Sequence, residues 1–128
     1  MFETGRDPRI VLQQRDLHAV LAVAAVDLAL TITGITSGAG HELNPFYAPL
    51  TGSLTLMLAG AAFYGAVLLS ASYVLAGDLR RVLGSTVFGM HVGGALSWLA
   101  PLSMFPQNWW YFGLAGMVGT ALFYRWQV

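Results

Sequence analysis

Four apolar runs, each near the length that crosses a bilayer, leave this chain almost nothing from which to build a water-soluble core. A spanning helix needs about 20 mostly apolar residues, and the runs cover roughly 17–37, 54–76, 82–100 and 109–124. Charged residues make up 9% of the chain, against about 25% in a soluble domain. The expected fold is therefore an all-α integral membrane protein, one domain over 1–128. It has four transmembrane helices arranged as two helical hairpins. A signal peptide is the competing reading of the first run, but the run is too long for an h-region and carries Asp27 inside it.

Orientation follows from the arginines, since basic residues near span ends favour the cytoplasmic side. Arg6, Arg9 and Arg15 precede the first run, Arg80 and Arg81 separate the second from the third, and Arg125 follows the fourth. The two remaining connections contain none. Both termini are expected inside a prokaryotic cytoplasmic membrane. Trp98, Trp109, Trp110 and Tyr111 would mark the outer interface and Trp126 the inner one. Residues 1–16 read as a short polar tail, in which Pro8 argues against a long helix. Gly77-Asp78-Leu79-Arg80-Arg81 reads as the break before the third run.

Several function classes fall away on composition. The net charge is zero and there is no basic run, which removes nucleic acid as a partner. Cysteine is absent, which removes disulfides, thiolate metal sites and cysteine nucleophiles. The expected partners are the lipid bilayer and either other membrane subunits or a second copy. Glycines inside the runs allow close helix packing, and Gly89-x-x-x-Gly93 matches a small-xxx-small pattern that serves internal packing or a dimer face.

Asp27 and His91 are the candidate catalytic residues, because an ionisable group inside a span is costly unless paired or watered. Counted from the cytoplasmic ends of their runs, both lie about 14–15 Å deep at about 1.5 Å per residue. Equal depth allows them to share a proton. The plainer reading is a polar tie between helices. Thr31, one turn beyond Asp27, extends the same stripe, and Tyr64 in the second run could add a hydroxyl if it faces inward. His91 could also ligate a haem or chlorin, but a single histidine assigns no cofactor, and the cofactor stays unknown.

The first outer connection holds His41, Glu42 and Asn44 ahead of Pro45. Pro45 stands where a zinc protease would need its second histidine, so the helical pair of imidazoles is missing and no metal is expected. These residues suit a capped turn, with Asn44 and Glu42 bonding free backbone groups, or an outward-facing binding site.

The string Asp27-x-x-x-Thr31-x-x-Gly34, followed by Gly38-x-x-x-Glu42-x-Asn44-Pro45, resembles the signature of an uncharacterised family of small prokaryotic multi-helix membrane proteins, a domain of unknown function. The resemblance implies a membrane topology and no particular activity. It also implies that Asp27, Thr31, Glu42, Asn44 and Pro45 act as one unit. Two functions remain in play. One is a small non-catalytic subunit or scaffold that packs into a larger membrane complex or homo-oligomer. The other is a small membrane enzyme or proton-coupled carrier centred on Asp27 and His91, with Glu42 at its outer mouth.

Overall fold

The structure, a computed structural model, describes residues 8–42, 45–100 and 110–127. Its elements are α1 (Pro8–Thr36), a single 3-10 turn (Ala48–Leu50), α2 (Leu54–Val74), α3 (Gly77–Leu99) and α4 (Trp110–Trp126). Three stretches are long and apolar enough to cross a membrane: Arg15–Thr36, Leu54–Val74 and Gly77–Leu99. The fourth helix has 17 residues, about 25 Å at 1.5 Å each, somewhat less than a hydrocarbon core of about 30 Å.

Two boundaries differ from the expectation. The polar tail was expected to lack a long helix, yet α1 starts at Pro8 itself. A proline at the first helical position loses no hydrogen bond, because that amide has no intrahelical partner, and its fixed φ already suits the helix. Gly77–Arg81 was expected to break the chain, yet these residues open α3. Asp78 sits in the first turn, where a carboxylate favours the helix dipole, and holds Arg81 at 3.3 Å. The turn therefore shrinks to Leu75 and Ala76, which Gly77 makes possible by taking φ +60°.

Other ends follow ordinary capping chemistry. Gly38, at φ +72°, closes α1, and the Ala39 amide donates to the Gly34 carbonyl at 2.9 Å, as expected for a helix finished by a left-handed glycine. Ser53 caps α2 by accepting from the Leu56 amide at 3.1 Å.

The third helix is the centre of the bundle, packed closely against α1 on one side and α4 on the other. Its contact with α4 is antiparallel and built from glycine. A Cβ at Gly93 would lie 2.7 Å from the Phe112 carbonyl, one at Gly116 would lie 2.8 Å from the Gly89 carbonyl, and one at Gly89 would overlap the Gly116 carbonyl. The Gly89-x-x-x-Gly93 pattern thus serves internal packing. Without a hydrophobic drive between helices in lipid, this backbone approach supplies the association. Below it Phe88 stacks on Phe123 at 4.3 Å between ring centroids, beside Val20 and Val87.

α1 lies parallel to α3. Gly34 and Gly40 receive the ring of Trp98, which seals the end of α1 that leads into the 37–53 connection. By contrast α2 touches its neighbours sparsely. Its firmest anchor is the Tyr47 hydroxyl, which donates to the Met57 carbonyl at 2.8 Å. Much of the apolar surface faces outward, including Phe63, Tyr73, Met117 and Leu122. That is the inverse of a soluble core and suits lipid or a partner helix.

Candidate functional site

Asp27 and His91 meet in the interior. The parallel register of α1 and α3 brings the Asp27 Oδ2 to 2.7 Å from the His91 Nδ1, with both side chains more than four-fifths buried. On the other side of the same imidazole, Nε2 lies 3.0 Å from the hydroxyl of Tyr64, contributed by the antiparallel α2. Three helices thus assemble a carboxylate, an imidazole and a phenol in line.

The chain of bonds has a defined logic. With Asp27 ionised, Nδ1–H donates to the carboxylate, and the neutral Nε2 is left to accept from the Tyr64 hydroxyl. If the imidazole takes up a proton, Nε2 becomes a donor, and the Tyr64 hydroxyl hydrogen is released to bond elsewhere. A proton gained at one end therefore changes what the other end offers. Tyr64 is 38% exposed, so the residue at that end of the chain is partly open to the surroundings of the bundle.

The carboxylate has a shaped seat. An atom in the Cβ position of residue 94 would lie 2.6 Å from the Asp27 Oδ2 and 2.8 Å from its Oδ1. Glycine is thus what lets the carboxylate lie against α3. Asp27, Thr31 and Gly34 form one stripe on α1, and His91, Gly94 and Trp98 form the facing stripe on α3. Thr31 is 4% exposed and lies within this seam. Gly94 and Trp98 were missed by sequence reading. The available signal was their spacing, one and two turns after His91, which matches the spacing of the α1 stripe.

The connection residues sit apart from this centre. His41 is exposed, Glu42 is half-buried, and Asn44 lies outside the described residues. Glu42 is close enough to Tyr47 for its charge to act there. Burial first, and then that carboxylate, raise the Tyr47 phenol above its ordinary 10.0. The folded chain consequently keeps a proton there that the unfolded chain gives up, and the anchor to Met57 weakens only as pH rises through this raised value. In an alkaline titration followed by tyrosinate absorbance, Tyr47→Phe is expected to remove a step above the ordinary tyrosine range. An unchanged titration curve would refute the coupling.

No family model, curated protein or solved structure matches this chain.

Proposed function

We propose that this chain is a four-span subunit of a prokaryotic cytoplasmic membrane whose Asp27–His91–Tyr64 relay exchanges protons at a surface shared with a second subunit. The observation that carries the reading is the relay itself, in which both nitrogens of one imidazole are engaged, by a carboxylate at 2.7 Å and by a phenol at 3.0 Å. A tie between two helices would need a single bond. The third member, a partly exposed residue on a loosely held helix, is what a passing proton requires.

Topology is supported by where the arginines gather. Arg15 lies over the Trp126 ring at 4.0 Å and Arg81 over the Tyr124 ring at 4.5 Å, so Arg15 of α1, the start of α3 and the end of α4 form one basic, aromatic end. Basic residues at a common end favour termini inside. α4 keeps step with α3 from Tyr124 beside Arg81 to Phe112 beside Gly93, which favours a shared crossing despite its shorter length. The sparse packing of α2 and its exposed apolar face favour completion by another subunit or a second copy.

The test is proton flux. Purified chain in vesicles with a trapped pH dye is expected to speed equilibration after an external acid step, and Tyr64→Phe to slow it by about ten-fold or more. Tyr64→Phe removes one hydroxyl from a partly exposed site and should leave the fold intact, as judged by its melting in detergent. Equal flux in the two proteins, or in vesicles without protein, would refute the reading.

A further inference from the structure

At the arginine end, α1, α2, α3 and the tail of α4 enclose a half-open cavity of about 240 Å³. Its polar rim comprises Asp16, Arg80, Arg81 and Gln127, and its wall runs down over Leu17, Leu68, Leu75 and Leu83. Such a combination of charged rim and greasy wall already fits an amphiphile. The hydrogen-bonding state of the rim goes further.

Arg81 is held along one edge. Its Nη1 donates to Asp78 at 3.3 Å and its Nη2 donates to the Tyr124 carbonyl at 3.5 Å. Its Nε–H is buried with no partner among the described residues. The Asp16 Oδ1 and the Gln127 Oε1 are likewise buried and unpartnered. One turn along α3 from Arg81, Ser85 is 1% exposed and its hydroxyl also lacks a partner among the described residues. One donor group on a guanidinium and two acceptors, one of them a carboxylate oxygen, thus lie buried within residues that line one cavity. Buried polar groups left without partners are costly, so a cluster of them marks a place where a polar ligand belongs.

We infer that this cavity binds the headgroup of a phosphoethanolamine lipid, with the phosphate at Arg81 and Arg80, the ammonium at Asp16 and Gln127, and an acyl chain along the leucine wall. Phosphate matches guanidinium donors, and a primary ammonium supplies the three N–H groups that a carboxylate and an amide oxygen can accept. A purely anionic headgroup would leave Asp16 facing like charge. A trimethylated headgroup would bring no N–H to either acceptor. The arginine end lies at the inner leaflet in the proposed topology, where basic pockets between helices meet lipid headgroups. The inference stands whether or not Asp27 exchanges protons.

Native mass spectrometry of the full chain, released from membranes of equal phosphatidylethanolamine, phosphatidylcholine and phosphatidylglycerol, tests it. The wild type is expected to retain one phosphatidylethanolamine per chain, preferred over the other two by about ten-fold or more. Asp16→Asn should erase the preference over phosphatidylglycerol while keeping a bound lipid, and Arg81→Gln should lose the lipid. Equal retention of the three lipids by the wild type would overturn the inference without reliance on any variant. So would a phosphatidylethanolamine preference that survives both substitutions. Displacement of the lipid by an equal concentration of soluble phosphoethanolamine would overturn the lipid assignment, because the leucine wall would then contribute nothing.

Discussion

Gly89→Ala is expected to destabilise the bundle by about 2 kcal/mol or more, whereas Gly113→Ala, on the facing helix, is expected to be neutral or slightly stabilising. A methyl at position 89 would overlap the Gly116 carbonyl and the Thr120 hydroxyl, and would lie 2.8 Å from the Thr120 amide nitrogen. Two of those three atoms are backbone and cannot swing aside, so α3 and α4 must move apart. Separation forfeits the close contact along the whole seam, which in lipid no hydrophobic term replaces. At Gly113 a methyl meets nothing within 4 Å among the described residues, and the substitution keeps the helix-propensity gain of up to about 1 kcal/mol that alanine has over glycine. Opposite signs are thus expected for the same chemical change. Unfolding of both variants in mixed detergent, followed by helical circular dichroism, measures the difference. A stabilised Gly89→Ala would show that the α3–α4 seam is not what joins these helices.

Helix content and the matching heights of Asp27 and His91 could both be read from the sequence. Asp27 and His91 stand at nearly equal distances from the starts of their apolar runs, and height along a helix follows from residue count alone. Azimuth does not follow in the same way. In a soluble helix the apolar stripe shows which face turns inward, but a spanning helix is apolar all round. Whether Tyr64 faced His91 or lipid was therefore open, and the 3.0 Å contact answers it through the position of α2. Small residues carry the direction that hydrophobicity cannot. Gly89, Gly93 and Gly116 face one another and Gly94 faces Asp27, so glycine spacing on α3 holds the information about both of its neighbours.

The boundaries that were misjudged share a cause. Pro8 and the Gly77–Arg81 segment were treated as breakers, whereas each stands at a helix start, where the first amides have no intrahelical partner to lose. A proline or glycine signals that a helix does not pass through it toward the N-terminus, and says little about whether one begins there. The 3-10 turn at Ala48–Leu50 went unnoticed for a different reason. Its role is visible only in space, where Leu50 covers Gly60 on α2.

Gly94→Ala is expected to leave the protein folded and to reduce proton flux to the level of Asp27→Asn, about ten-fold or more below wild type. The methyl would sit 2.6 Å from the Asp27 Oδ2 and 3.0 Å from its Cγ, so the carboxylate must leave its seat. Unlike the backbone atoms opposite Gly89, it ends a side chain with two rotatable bonds and can yield, which keeps the stability cost within about 1–3 kcal/mol. Yielding, however, moves Oδ2 away from the His91 Nδ1 that it holds at 2.7 Å, and the first link of the relay opens. Asp27→Asn reaches the same end by another route: the amide oxygen can still accept from Nδ1–H, but it carries no charge to stabilise a protonated imidazole. A polar tie would tolerate Asp27→Asn, since the hydrogen bond survives, and would suffer more from Gly94→Ala, which breaks it. A relay suffers from both alike. If Asp27→Asn keeps wild-type flux while Gly94→Ala loses stability, the pair joins helices and does not move protons. If Asp27→Asn fails to assemble at all, the ionised pair is itself a condition for the bundle, and Gly94→Ala should fail with it.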